Sequence, residues 1–553
     1  MSVDPITVSV VQHRLHGIVE EMGEAMLRTS YSQILNSSRD FSTALADPQG
    51  RLIAQAEHVP IHVGALPFAV RAVQAAFEGT IRPGDVFLLN DPYRGGNHLP
   101  DLTAFVPVFA DGRHLFWAIN RAHQSDIGGS THGAYNPAAT EIWQEGIRVP
   151  PLRLYEAGVL RADLLELLAL NVRHPRDFKG DLAAMIGSAR LGARRLEALL
   201  AELGIERTLA AVEAVLDGAE RRVRAILASW PDGTWRGEAR LDDDGHGRED
   251  VAIRAIVHKS GSALEIDLSE SDPECDGFVN SSLPNTYSAC VVALAYLIDP
   301  DIPKNDGAFR PLSLKTREGT VVHPREGRPV TLCTNHCGQE IIEAIVKALA
   351  PICPDRAMAG WGRRFRVALR GIDPRSGRPF LWHLFQARPG GGASAAGDGW
   401  PAAGEWQAAG GIKFGSLEVH EVRFPLFFAR HELRPDSGGL GEHRGGPGAI
   451  LEMRIEVDEP AVANTAGDGV RHGACGILGG KDGAPHDYRL RSADGGERVL
   501  KTKEVGILVR PGDVLVARSG GGGGWGDPAR RSAAAHARDR LEGYVGEAQG
   551  ERA

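Results

Sequence analysis

Two apolar stretches, one on each side of Asp111-Gly112, constrain the local fold of the chain most strongly. The stretches read LTAFVPVF and HLFWAIN and cover residues 102–109 and 114–120. Asp-Gly favours a tight turn between antiparallel strands because both residues tolerate positive φ. A β-hairpin is therefore predicted here, and the polarity changes abruptly at the open end of both strands.

Histidine and aspartate residues lie at that open end. His98 and Asp101 come at the start of the first strand, and His123 follows the second. A two-residue loop places His123 opposite Pro100, whereas a three-residue loop places it opposite Asp101. Opposed residues in an antiparallel pair have Cβ atoms about 4.5–5.5 Å apart. Either register therefore predicts that two imidazoles and one carboxylate converge.

Such a convergence has two interpretations. Two imidazoles and one carboxylate are suited to a mononuclear metal site with open coordination positions, because catalytic Zn²⁺ commonly takes three protein ligands and Fe²⁺ or Mn²⁺ accept the same set. The chain contains 20 His residues, however, and polar residues at a hairpin end also form a solvated rim. Spacing alone leaves both interpretations open.

Several long segments carry specific motifs: DPYRGGNHLPDLTAFVPVF, AHQSDIGG, ATEIWQEGIRVPP, SSRDFSTALADPQGRLIAQAEHVPIHVG, KNDGAFRPL, LRPDSGGLGEHRGGPG and SGGGGGWGDP. Together they resemble the hydantoinase B family, and the resemblance covers nearly the whole chain. That family includes N-methylhydantoinase B subunits, the carboxyl-terminal half of 5-oxoprolinase, caprolactamase large subunits and the alpha subunit of acetone carboxylase. By similarity to its metal-containing members, His98, Asp101 and His123 match the ligands of one divalent transition metal, which is Zn, Mn or Fe.

The resemblance also implies a function and a partner. The chain has no P-loop pattern GxxxxGK[ST], whereas the relatives use ATP through a separate hydantoinase A-like subunit. We therefore expect a metal-bearing subunit of a hetero-tetramer or larger assembly, with ATP-Mg in the partner subunit. The expected reaction is hydrolysis of a cyclic amide of the hydantoin, oxoproline or lactam type, after the partner phosphorylates the substrate oxygen. The alternatives are ATP-dependent carboxylation of a ketone and, from another class, a non-catalytic scaffold.

Acidic residues near the hairpin are candidates for moving protons. Asp126 lies three residues after His123, where it would orient a ligand imidazole or act as a base. Glu141 and Glu145 are four residues apart and share one face if their segment is helical. Either would be a base or a further metal ligand, or both would lie on a solvated helix face, and spacing leaves these alternatives open. Asp126 and Glu141 are the predicted catalytic residues.

Three further features have open roles. His58 and His62 would either join the metal site or bond backbone groups in their proline-rich loop, and the second interpretation is favoured. The glycine-rich stretch that contains Gly390–Gly399 would either approach a substrate with its free N–H groups or form a flexible loop.

Composition and charge exclude several classes of protein. The net charge is −9, which gives no reason to expect a nucleic-acid partner. No apolar run reaches the roughly 18–20 residues that span a bilayer, so no membrane association is expected. The first residues lack the pattern of a secretory signal. The six cysteines are sparse, including Cys333 and Cys337 in one turn, and they suit reduced thiols. A cytoplasmic location is predicted.

The expected fold class is α+β, multi-domain, with mainly antiparallel sheets, a helical insertion and a β-rich C-terminal region. Apolar residues at three- and four-residue steps indicate helices before residue 230, and alternation indicates strands after it. The predicted division is residues 1–160 as an N-terminal α/β metal-site domain, 161–230 as a helical segment, 231–420 as a central α+β domain, 421–528 as a β-rich C-terminal domain and 529–553 as a C-terminal helix or tail.

Overall fold

The computed structural model describes residues 3–56 and 58–546. Its α-helices are α1 (Pro5–Thr29), α2 (Gln33–Asn36), α3 (Leu66–Ala76), α4 (Ala162–Leu170), α5 (Pro175–Leu203), α6 (Ile205–Ser229), α7 (Leu283–Leu297), α8 (Asp306–Phe309), α9 (Gly338–Leu349), α10 (Leu417–Arg423) and α11 (Ala533–Leu541). Its strands form four sheets, A to D, whose members are given below.

Sheet A contains β1 (Phe41–Ala46), β2 (Leu52–Ala56), β3 (Val86–Leu89), β4 (Asp101–Ala110), β5 (Arg113–His123), β6 (Leu152–Glu156) and β7 (Val159–Leu160). The strands lie in the order β2-β1-β5-β4-β3-β6-β7, and each adjacent pair is antiparallel. Leu102 and Ala104 of β4 point into the large core that includes α1 and α5, whereas Phe105 packs with Trp117 in the core beneath α3. This alternation buries both faces of the sheet.

The predicted hairpin is β4 and β5, and its register combines both alternatives. The loop has two residues, Asp111 at φ 48° and Gly112 at φ 71°, so Ala110 pairs with Arg113. A bulge between Val108 and Phe109 then shifts the pairing by one residue. In consequence His123 lies opposite Asp101 although the loop is short.

The helical segment follows the prediction closely. Helices α4, α5 and α6 succeed one another, with breaks before Pro175 and at Gly204. Gly204 adopts φ 82°, which favours glycine and separates α5 from α6. Helix α5 packs against α1 and against β4 and β5. The helical segment therefore covers the hairpin that carries the predicted metal ligands.

Sheet B contains β8 (Gly233–Asp243), β9 (Glu249–Ser260), β10 (Ala263–Asp267) and β11 (Leu312–Lys315), in the order β11-β10-β9-β8. The pairs β8–β9 and β9–β10 are antiparallel, as the alternating sequence predicts, whereas β10 and β11 are parallel. Helices α7 and α9 pack together, and α9 lies on β8 and β9.

Sheets C and D face each other across a second core. Sheet C contains β12 (Phe365–Asp373), β13 (Arg378–His383), β16 (Ala461–Gly467) and β19 (Lys503–Val509). Sheet D contains β14 (Leu426–Leu433), β15 (Ala449–Ile455), β17 (Asp487–Arg491), β18 (Glu497–Val499) and β20 (Val514–Arg518). Because β12 pairs with both β13 and β16, sheet C joins residues on the two sides of the boundary predicted at residue 420.

The glycine-rich stretch around residue 390 has a packing role that neither interpretation of it anticipated. Gly522 donates its N–H to the carbonyl of Gly446, and Gly390 donates to Gly520. A Cβ placed on Gly522 would lie 1.9 Å from the carbonyl oxygen of Gly391, and one on Gly523 would lie 1.9 Å from that of Cys475. Four glycine-rich segments thus pack backbone against backbone, at a separation that only glycine permits.

The structure confirms the predicted fold class, with helices and mainly antiparallel sheets in a multi-domain chain. The division into numbered domains stays a prediction. The six cysteines are free and buried. Over residues 3–56 and 58–546, the helices are too short or too polar for any of them to cross a bilayer.

Candidate metal centre

His98, Asp101 and His123 converge at the open end of the β4–β5 hairpin. Asp101 Oδ1 lies 2.8 Å from His98 Nε2 and 3.1 Å from His123 Nδ1. The relative exposures of the three residues are 0%, 0% and 3%. The solvated rim is therefore excluded, because these side chains are buried together.

The surrounding backbone fixes each member of this triad. Asp101 opens β4 and is paired with His123 at the end of β5. His98 Nδ1 lies 2.5 Å from the carbonyl oxygen of Thr331, and Asn97 Nδ2 donates to Asp101 Oδ2 at 3.2 Å. A carbonyl partner on one ring nitrogen orients a ligand histidine and leaves its other nitrogen to face the metal.

The donor set fits a divalent transition metal. His98 Nε2 is buried without a hydrogen-bond partner of acceptable geometry, although Asp101 lies close to it. Burial lowers the pKa of His123 to about 3, so its imidazole is neutral, as ligation requires. Burial raises the pKa of Asp101, but the charges of His62 and His98 outweigh burial and hold that pKa well below its usual range. Burial lowers the pKa of His98, but the charge of Asp101 outweighs burial and raises it, so a metal must displace the proton of that imidazole. Two imidazole nitrogens and a carboxylate then suit Zn²⁺, Mn²⁺ or Fe²⁺.

His62 and Asp40 extend the site beyond the triad. His62 Nε2 lies 3.4 Å from Asp101 Oδ2 and 3.5 Å from Asp40 Oδ1. His62 thus faces two carboxylates instead of the backbone contacts that the sequence favoured. His58 lies apart from them, with its ring 4.8 Å from the ring of Phe41. Burial and the charge of Asp101 raise the pKa of Asp40 to about 7.

The two predicted catalytic carboxylates lie in other surroundings. Asp126 accepts hydrogen bonds from Arg173, from the backbone N–H at 2.8 Å and from Nη1 at 3.0 Å. Glu141 is exposed. Its segment forms only a short 3₁₀ turn, Ile142–Gln144, and not the α-helix that would place Glu141 and Glu145 on one face. The turn separates exposed Glu141 from buried Glu145. Their catalytic roles stay predictions.

Glu145 instead supports the triad from behind. Its carboxylate accepts the backbone N–H groups of Val330 at 2.9 Å and Thr331 at 2.8 Å. The carbonyl of Thr331 is the partner of His98 Nδ1. Burial raises the pKa of Glu145 to about 7. Glu145 therefore positions the peptide that orients the first ligand.

Replacement of Glu145 by glutamine is expected to weaken metal binding about 10-fold, the lower end of the loss for partners that orient ligands. An amide nitrogen cannot accept a hydrogen bond, so one of the two backbone N–H groups loses its partner and the Thr331 peptide shifts. Metal affinity would be measured by competition with a chromogenic chelator. Glu141→Gln is the matched control, because its side chain is exposed. Equal affinity in both variants would contradict the positioning role.

Comparison with known proteins gives the family. The sequence model of the family described as Hydantoinase B/oxoprolinase matches residues 4–528. The chain belongs to the Hydantoinase B/oxoprolinase family. It is 35% identical to caprolactamase subunit beta of Pseudomonas jessenii over 98% of this chain and 94% of that protein. The resemblance that the motifs carry is thereby confirmed.

Solved structures agree with this membership. The ATP-dependent caprolactamase of Pseudomonas jessenii superposes with a TM-score of 0.93 at 34% identity, over 100% of this chain and 96% of that one. Acetone carboxylase in a nucleotide-free structure gives a TM-score of 0.88 at 21% identity, over 99% and 79% of the two chains. At that lower identity the second similarity shows the fold alone.

A second cluster of potential ligands in this hydantoinase B-family chain already contains a protein cation. His336, Glu340 and Asp468 bring their ligand atoms within 4.8 Å of one another. Arg363 Nη1 lies between the two carboxylates, 2.9 Å from Glu340 Oε1 and 3.0 Å from Asp468 Oδ1. Because the guanidinium neutralises both acids, we interpret this cluster as a buried ion-pair network.

Sequence reasoning missed several side chains around the triad. The ring of Tyr135 stacks on that of His123, with centroids 5.6 Å apart and planes inclined by 26°. Arg364 pairs with Glu405 at 2.6 Å. Arg366 lies over the Tyr135 ring, with Cζ 4.1 Å from its centroid. One signal was available, since three arginines lie within residues 363–366, directly before the apolar residues 367–369 of β12.

Proposed function

We propose that this chain is the metal-bearing subunit of a hetero-oligomeric, ATP-dependent enzyme that hydrolyses a cyclic amide of the hydantoin, oxoproline or lactam type. The observation that carries the proposal is the buried His98–Asp101–His123 triad, in a chain similar over nearly its whole length to caprolactamase subunit beta. A hydantoinase A-like subunit would supply the ATP site and phosphorylate the substrate oxygen, since this sequence has no P-loop pattern.

The triad residues would hold one Zn, Mn or Fe ion through two imidazole nitrogens and one carboxylate oxygen. A divalent metal supplies Lewis acidity and lowers the pKa of bound water from 15.7 to about 7. Asn97 and the Thr331 carbonyl keep Asp101 and His98 in position for this. Burial of the whole set excludes bulk solvent and strengthens each electrostatic interaction within it.

Asp40 is the carboxylate best placed to move a proton at this site. Its pKa of about 7 matches neutral conditions, and its Oδ1 lies 3.5 Å from His62 Nε2. A base is most effective when its pKa is near the operating pH. Asp126 and Glu141 remain the alternatives, although Arg173 already neutralises Asp126.

Carboxylation of a ketone is the second candidate, because the fold also matches that of acetone carboxylase. The two reactions differ in their products. Ring opening adds the elements of water to a cyclic amide, whereas carboxylation adds one carbon from bicarbonate to a ketone. Recovery of label from bicarbonate in the product, with no ring opening of any cyclic amide, would contradict the hydrolase proposal and support the carboxylase proposal.

The proposal is tested by co-purifying the chain with its hydantoinase A-like partner. Hydantoins, 5-oxoproline and lactams would be incubated with the complex and ATP-Mg, with chromatography of the opened products. We expect ATP-dependent opening of at least one ring class by the wild type, and loss of turnover with intact assembly in His98→Ala and His123→Ala. Full turnover in both variants would instead establish a scaffold.

A further inference from the structure

Arg366 is a buried cation without a carboxylate partner. Its relative exposure is 2%, and within the described residues no carboxylate oxygen lies within 4 Å of its guanidinium. Nη2 donates to the carbonyl of Gly133 at 2.5 Å, whereas Nη1 has no hydrogen-bond partner. A buried, unpaired charge is costly unless something compensates it. The charge of the neighbouring Arg364 is compensated, because Glu405 forms an ion pair with it.

The strand directs this cation toward the metal centre. Phe365 and Val367 of β12 point into the core between sheets C and D. Arg366 lies between them in sequence, so its side chain leaves the opposite face of the strand. There it packs on the ring of Tyr135, which stacks on the ligand His123. One aromatic ring therefore separates the guanidinium from the predicted metal ligand.

His383, which contacts Arg366, carries a second unpartnered donor. Nη2 of Arg366 also donates to His383 Nδ1 at 2.5 Å, so this ring nitrogen is an acceptor. Burial and the charge of Arg366 hold the pKa of His383 well below its usual range, and the imidazole is neutral. The ring proton is consequently on Nε2, and His383 Nε2 is buried without a partner.

We propose that Arg366 and His383 bind an oxyanion group of the substrate beside the metal centre. A guanidinium and an imidazole N–H, both desolvated and both with a free donor, form a charge-assisted site for phosphoryl or carboxylate oxygens. This oxyanion site rests on the proposed function, because the bound molecule is taken to be the substrate that reacts at the metal centre. It deepens that function, because it requires a substrate that carries an oxyanion when it reaches the metal.

The test uses the full chain loaded with Zn²⁺ or Mn²⁺ and calorimetric titration with inorganic phosphate and, separately, with bicarbonate. We expect one phosphate or bicarbonate per chain, and about 10- to 100-fold weaker binding in Arg366→Met, the loss typical of a charge-assisted hydrogen bond. Arg366→Lys keeps the charge without the planar fork and is expected to show an intermediate loss. Arg370→Met is the matched control, on the same strand but exposed.

Metal content and the thermal midpoint of each variant show whether it is folded and loaded. Tighter binding of phosphate assigns a phosphoryl group, and tighter binding of bicarbonate assigns a carboxylate; either supports the site. Wild-type affinity in Arg366→Met, or no binding of either anion to the wild type, overturns it. If the wild-type complex opens no cyclic amide but anion binding depends on Arg366, the proposed function fails and the oxyanion site stands. If the complex opens a cyclic amide but anion binding is independent of Arg366, the oxyanion site fails and the proposed function stands.

Discussion

Replacement of Asp101 by asparagine is expected to lower the affinity for a divalent transition metal by at least about 100-fold, the upper end of the loss for partners that only orient ligands. Asp101 Oδ1 contacts both ligand imidazoles, and Oδ2 accepts from Asn97. The amide is neutral, and half of it donates where the carboxylate accepts. The ligand set therefore loses its negative charge and one of its two carboxylate oxygens. Competition with a chromogenic chelator measures the change.

Asp126→Asn is the matched control for this variant. Asp126 is also buried and lies close to the same hairpin end in sequence, but its carboxylate is bound by Arg173. We expect its metal affinity to stay within about twofold of the wild type, because Arg173 and not a ligand would lose a partner. An Asp101→Asn protein that binds metal as tightly as the wild type would contradict the assignment of the triad.

Replacement of Gly522 by alanine is expected to lower the free energy of unfolding by more than about 4 kcal/mol. Few single substitutions cause such a loss, and the cause here is a severe steric conflict. The new Cβ would lie 1.9 Å from the carbonyl oxygen of Gly391 and 2.8 Å from the nitrogen of Gly392. Both obstacles are backbone atoms, and they cannot move aside as a flexible side chain does. Urea unfolding, followed by tryptophan fluorescence, would show a lower midpoint or no folded baseline.

Gly187→Ala provides the contrast. Gly187 lies within α5, and a Cβ there meets nothing within 4 Å. Alanine in an exposed helix is more stable than glycine by about 0.5–1 kcal/mol, so the unfolding midpoint is expected to rise slightly. Equal midpoints for the two variants would show that the glycine segments are not close-packed.

The hairpin shows how far sequence reaches into this fold. Apolar runs and the Asp111-Gly112 turn predicted both strands and the convergence of His98, Asp101 and His123. The register of the β4–β5 pairing depends on a bulge after Val108, and no local residue pattern predicts that bulge. A bulge results from the fit of the strand to its neighbours on both faces, and that information is non-local.

The remainder of the site was hidden for a similar reason. Arg366 and His383 come from β12 and β13, more than 240 residues after His123. Only the tertiary packing brings Arg366, with His383 bound to it, onto the ring of Tyr135. Glu145 was considered as a base or ligand, yet its function follows from two peptide N–H groups near residue 330. Long-range contacts of this kind leave no periodic trace in a single sequence.

The glycine-rich segments were ambiguous because the same composition suits a flexible loop and a close-packed backbone. Gly390, Gly446 and Gly522 lie far apart in the sequence but exchange hydrogen bonds and contacts in the fold. Only the absence of a Cβ permits those separations, and a sequence shows the glycines without showing what lies beside them.

The most direct test of a metal centre at the hairpin end is the metal content of the purified chain by plasma mass spectrometry. Wild type, His123→Ala and His114→Ala would be compared after supplementation with Zn²⁺, Mn²⁺ or Fe²⁺ and gel filtration. His114 lies on the same strand, with Nε2 at 3.0 Å from the carbonyl oxygen of Phe116. We predict about one metal per chain in the wild type and in His114→Ala, and loss of that metal in His123→Ala. No metal in the wild type, or equal metal in all three proteins, would contradict the account.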